Sequence, residues 1–201
     1  MKLFLRLSWI CVFSGLAVQA ADNALSLLTF DDLSAGPDGS WAHIQNGYGG
    51  LQWHNFGVLN GMNRPVTEGY RRGAVSPDNV AFILHGDPAS ISRSSPFDLN
   101  SAYLTAAFMP ELEVAVQGWN GTTLVYNNTY TLSKTTPTLI DFNYVGVDQV
   151  KFIPFVHSSF LALDNLVVAV PEPSTGALLL LGLTLGAFGF LKKKGKRDET
   201  P

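Results

Sequence analysis

Leu112, Val114 and Val116 alternate with Glu113, Ala115 and Gln117. A hydrophobic period of two fits only an extended chain with one face buried. Trp119-Asn120-Gly121-Thr122 follows, and Asn-Gly between strand-forming runs marks a tight hairpin. "TTLVYNNTYTLS" then runs back, rich in Thr, Val and Tyr. Further strand candidates are "LSLLTF", "NVAFILH", "AYLTAAF", "TLIDFNY", "VDQVKFIPF" and "FLALDNLVVAV". No window before the C-terminal tail carries a helical stripe with capping residues, and no internal repeat is present. Residues 34–74 are glycine-rich and less regular, and read as long loops. Short strands with frequent turns predict an all-β sandwich.

The two ends of the chain have a different composition. Lys2 and Arg6 precede an apolar stretch from Leu7 to Val18, and Val18-Gln19-Ala20 offers small residues at the positions a signal peptidase reads. Residues 1–20 are therefore expected to be a secretory signal, cut after Ala20. Cys11 is the chain's one cysteine and lies within that stretch, between Ile10 and Val12-Phe13. It lacks the cleavage site that a lipid-modified cysteine needs just before it. The mature chain then has no thiol for a disulfide or a metal, and only its core holds it together. Residues 21–169 leave about 150 residues for that core, enough for one domain. Residues 21–170 hold six Lys/Arg against thirteen Asp/Glu, a net charge of −7. That balance excludes nucleic-acid binding by phosphate neutralisation and suits divalent cations or neutral sugars better.

The tail has three parts in order. Val170-Pro171-Glu172-Pro173-Ser174-Thr175 leads into the apolar run 176–191, where Thr184 is the only polar side chain. Lys192, Lys193, Lys194, Lys196 and Arg197 close it. As a helix the run would span ~24 Å at ~1.5 Å per residue, short of the ~30 Å hydrocarbon core. The basic block can snorkel to the headgroups, with the block in the cytoplasm and the domain outside. This order resembles the PEP-CTERM sorting signal of exported bacterial proteins. The resemblance implies recognition by an exosortase-type membrane enzyme that processes the protein near Pro171, Glu172 and Pro173. It also implies a transient stay in the inner membrane, then delivery to the cell surface or outside. Residues 170–201 are thus expected to be an address first, and an anchor only until processing.

The domain itself opens with "LTFDDL" and closes with "FLALDNLVV", and it contains "IQNGYGGLQWHNFGVLNG" and "FDLNSAYLTAAF". These blocks resemble a jelly-roll-like β-sandwich of the galactose-binding-like type, as found in the globular part of many PEP-CTERM proteins. Asp31, Asp32 and Asp164 come together if the first and last strands are neighbours, and hard oxygen ligands suit calcium. The galactose-binding-like resemblance implies a structural calcium at that position. The alternative is that Asp32 and Asp164 cap turns or bond backbone N–H groups. With a cation, Asp32 and Asp164 should face one another on neighbouring strands, and Asp31 should turn the other way.

Catalysis leaves few marks. His43, His54, His85 and His157 are scattered without zinc spacing, and neither a G-x-S-x-G elbow nor a phosphate loop is present. Trp41, Tyr48, Trp53, Phe56, Tyr70 and Trp119 are candidate platforms for sugar rings, with core packing as the alternative. Core packing is favoured for Trp53 and Phe56, whereas Trp41 and Tyr48 stand in polar loop sequence. Asn46, Asn55, Asn60 and Asn63 could bond hydroxyls, but they fit turns better. Two function classes remain. One is an exported non-catalytic protein of the cell surface or extracellular matrix, with polysaccharide as its candidate ligand. The other is a secreted hydrolase acting on glycans.

Overall fold

Strands dominate the computed structural model, which describes residues 23–36 and 40–171. In chain order they are β1 (Asn23–Leu28), β2 (Trp41–His43), β3 (Gln52–His54), β4 (Phe56–Asn60), β5 (Asn79–Ile83) and β6 (Ala89–Ala106). After them come β7 (Glu111–Asn120), β8 (Thr123–Ser133), β9 (Thr138–Pro154) and β10 (Leu161–Pro171), and a five-residue helix, α1 (Gly69–Gly73), precedes β5. The expected signal peptide 1–20, Glu172, Pro173, the apolar run 176–191 and the basic block 192–197 lie outside the described residues. Among the described residues no helix is long and apolar enough to cross a membrane.

Alternation positions the core as read from the sequence. In β7, Leu112, Val114 and Val116 are buried while Glu111 and Glu113 are exposed. The expected hairpin follows, with Asn120 opposite Thr123 across Gly121-Thr122. Two expectations change. The region 34–74, read as loops, contains β2, β3, β4 and α1. β2 and β3 have three residues each, too few to show a period. The runs "TLIDFNY" and "VDQVKFIPF" belong to one strand, β9.

The strands form one hydrogen-bonded sheet in the order β2-β4-β5-β10-β6-β9-β7-β8, with β1 added to β10 and β3 to β6. The sheet folds over on itself because its long strands bend. Ten residues of straight strand span ~33 Å, yet the rings of Phe142 and Phe152, both on β9, are 6.4 Å apart. The bend falls where Asn143 and Gly146 have positive φ (51° and 68°). β6 is irregular over the matching stretch, between Ser92 and Ser101, where Pro96 cannot donate to the ladder. The inner faces then meet. Phe56 of β4 packs on Phe152 at 5.7 Å, and the Tyr144 hydroxyl of β9 donates to the Val116 carbonyl of β7 at 3.0 Å. A smaller apolar cluster of Leu59, Tyr70, Val80, Phe82, Leu84, Ala107 and Ala162 lies apart from this core. Gly69 and Tyr70 bring α1 onto it, and the Gly69 N–H donates to the Ala107 carbonyl.

Candidate functional site

The expected cation ligands are the carboxylates at the two ends of the domain. β1 and β10 are indeed neighbours, in antiparallel register from Asn23↔Pro171 to Leu28↔Leu166. Asp164 sits within β10, fully buried. Its carboxylate accepts from the N–H groups of Val75 (2.8 Å), Ser76 (2.9 Å) and Asn165 (2.6 Å), and from the Ser76 hydroxyl (3.0 and 3.1 Å). Burial pushes the Asp164 pKa up, and these donors pull it back. Asp31 and Asp32 stand on the turn after β1 rather than on a strand. Asp31 accepts from the Asn79 N–H at 2.9 Å, and Asp32 from the Tyr48 hydroxyl at 2.8 Å.

The expected pairing of Asp32 with Asp164 across neighbouring strands is therefore corrected. Each of the three carboxylates faces its own donors. Calcium takes six to eight oxygen ligands, and among the described residues no group of three or more His, Cys, Asp or Glu could hold a metal ion. Asp31, Asp32 and Asp164 therefore do not come together as one ligand set.

The aromatic candidates separate by depth. Trp53, Phe56 and Tyr70 are core residues. Tyr48 is half-buried against Phe30 (5.7 Å) and Trp53 (6.0 Å), and its hydroxyl also accepts from the Phe30 N–H. Burial, followed by the bond to Asp32, raises its pKa. With its ring and hydroxyl both engaged, Tyr48 ties a loop to the core. Asn46, Asn55 and Asn60 bond the backbone at Trp53, at Leu84 and Asp87, and at Asn63. Trp41 stays 45% exposed on the outermost strand β2, edge-on to His43 (5.1 Å) and Phe82 (6.1 Å).

Strand register assembles a surface that no stretch of sequence displays. Ile91, Val116, Gly118, Val150, Phe152 and Trp53 are buried, and strand alternation sets the residues paired below on the opposite face, where Ser90 is itself covered while His54, Lys151, Gln117 and Asn127 keep exposure. The pairings His54↔Ser90, Ser90↔Lys151, Lys151↔Gln117 and Gln117↔Asn127 set these side chains in one row across β3, β6, β9, β7 and β8. The next row is Gln52, Ser92, Gln149, Trp119 and Leu124.

These rows carry amide, hydroxyl and imidazole groups around one indole and one ammonium. Gln117 donates to Asn127 at 3.2 Å, which fixes both amides. The Lys151 ammonium lies 4.8 Å from the centre of the Trp119 ring, a cation–π contact. The Trp119 Nε1–H is covered and has no hydrogen-bond partner. Beside them, His54, Pro88, Ala89, Ser90, Gln149 and Lys151 line an open depression of about 280 Å³. The sequence shows Trp119 as an aromatic, but only Gln117 among its polar neighbours shares its strand, and the others come from β3, β6, β8 and β9.

No curated protein matches the chain in sequence. Among solved structures, it is similar to the CBM22-1 xylan-binding domain from Paenibacillus barcinonensis Xyn10C, at 11% identity and a TM-score of 0.44. That match covers 78% of this chain and 100% of the other. A family 16 carbohydrate-binding module is 12% identical with a TM-score of 0.35, covering 59% of this chain and 90% of its own. TmCBM61, solved in complex with β-1,4-galactotriose, is 8% identical with a TM-score of 0.34, covering 72% and 94%. Residues 169–194, which include the Pro-Glu-Pro step, the apolar run and the first lysines of the basic block, match the PEP-CTERM protein-sorting motif, so the chain carries an exosortase sorting signal.

Proposed function

We propose that this is an exported, non-catalytic protein of the cell surface or extracellular matrix that binds polysaccharide through the outer face of β3, β6, β9, β7 and β8. The proposal includes a signal peptide at 1–20, a jelly-roll-like sandwich and a membrane-crossing helix at 176–191 that an exosortase-type enzyme processes. The observation that carries the binding reading is the cross-strand row His54-Ser90-Lys151-Gln117-Asn127 beside Trp119. A sugar presents hydroxyls that both donate and accept, and apolar C–H surfaces between them. Amides held in place on a rigid sheet match the first, and an indole matches the second.

A hydrolase reading needs two carboxylates facing one another across the scissile bond. The two rows contain no Asp or Glu. That favours binding over cleavage at this face. Affinity electrophoresis of the exported protein through gels containing single polysaccharides tests the reading. Trp119→Ala should abolish the retardation and Trp41→Ala should leave it in place. Unchanged mobility of the Trp119 variant, or release of reducing sugar by the wild type, would reject it.

A further inference from the structure

We infer that the preferred ligand is a carboxylated polysaccharide, one built with uronic-acid units, and that Lys151 is its specificity-determining residue. This rests on the proposed polysaccharide site. The domain is acidic overall, so a cation at the centre of that site needs a reason. Lys151 is half-buried in the polar row, and no carboxylate among the described residues forms an ion pair with it. Its direct cross-strand neighbours, Ser90 and Gln117, are neutral, and its one aromatic contact is the Trp119 ring.

The Trp119 Nε1–H is covered by protein, so a ligand meets this indole through its ring and not through its N–H. An ammonium donates and cannot accept. What Lys151 lacks is an acceptor that carries a negative charge, and a sugar carboxylate supplies one through a charge-assisted hydrogen bond. A neutral hydroxyl leaves the charge of the ammonium unmatched. The amides of Gln117, Gln149 and Asn127 remain for the hydroxyls of the same and adjoining units. Repulsion from the rest of the acidic domain keeps bare polyanions off other surfaces, so selectivity is confined to this site.

The test uses the exported protein with polygalacturonate and with the same polymer fully methyl-esterified, which keeps the sugar and removes the charge. The wild type should bind the carboxylated form about tenfold more tightly, and added salt should erode that preference. Lys151→Gln should bind both forms alike, near the wild-type affinity for the ester. Trp119→Ala should lose both, and Lys134→Gln should behave as wild type. Equal wild-type affinity for the two polymers overturns the uronate inference while leaving the polysaccharide site standing. So does a preference that survives in Lys151→Gln. Dextran sulfate bound equally by the wild type and Trp119→Ala would reduce the effect to general charge attraction and also overturn it. If neither galacturonan is retained and no neutral polymer is either, the polysaccharide site itself falls.

Discussion

Asp164 joins parts of the chain that are far apart in sequence, since its carboxylate on the last strand holds the backbone at Val75 and Ser76. Replacing it with Ala would leave those part-buried N–H groups without their acceptor and open a gap at a fully buried position. Asp164→Ala should therefore lower unfolding stability by about 3 kcal/mol, read from urea denaturation. The pH dependence has a definite sign. Burial raises the Asp164 pKa in the folded state, so the folded protein takes up this proton more readily than the unfolded chain. The contribution is fully present below the ordinary carboxylate value and is lost as pH rises through the raised one. Relative to the non-titrating Asp164→Asn, the wild type should gain stability between neutral pH and mild acid. A difference that shrinks on acidification would mean the donors outweigh burial. With each carboxylate already bonded, the melting curve should be the same in calcium and in chelator, and a higher midpoint with calcium would refute that. The sequence identified Asp164 as important. It could not say whether a cation or an N–H would answer it, because Val75 and Ser76 lie almost ninety positions away.

Elements were legible where their period was long enough to count. β7 could be read from its alternation and β8 from its Thr, Val and Tyr content after the Asn-Gly turn, which is local information. The bend in β9 could not, since a glycine between two apolar runs marks a turn as readily as a folded strand. Nor could the polar face. A period of two says which side chains share a side of one strand, but not which strand lies next to it. His54 and Asn127 share a row only because of four successive pairings. Two glycines separate backbone conformation from close packing as the cause of these shapes. At Gly146 (φ 68°) a methyl group meets nothing within 4 Å, so Gly146→Ala should cost only the left-handed penalty of about 1 kcal/mol. At Gly69 the methyl would fall 1.7 Å from the Ala106 carbonyl oxygen, and α1 would have to leave the sheet. Gly69→Ala should cost about 3 kcal/mol or more. Equal urea midpoints for the two variants would contradict this account.

At the scale of the whole molecule, the sorting signal and the fold overlap. The matched motif begins at residue 169, while β10 continues to Pro171 with Val170 opposite Ala24 and Pro171 opposite Asn23. A processing enzyme must hold its substrate as an extended, unpaired segment. Reaching back into β10 would strip it from β1, β5 and β6. It would also expose Leu161, Leu163, Leu166 and Val168, all fully buried. At ~2 kcal/mol for each aliphatic side chain, that is ~8 kcal/mol before any backbone bond is counted. A stability of that order is most of what a domain this size has. The cut should therefore fall at Pro171 or beyond it, leaving β10 whole. Intact-mass measurement of the released protein from its native host should give a C-terminus at or after Pro171, without the lysines of 192–194. The released form should also melt at the same temperature as the unprocessed chain, because no paired residue has been removed. A C-terminal peptide ending between Leu161 and Val170 would show that the last strand is opened during processing, and would overturn this placement of the cut.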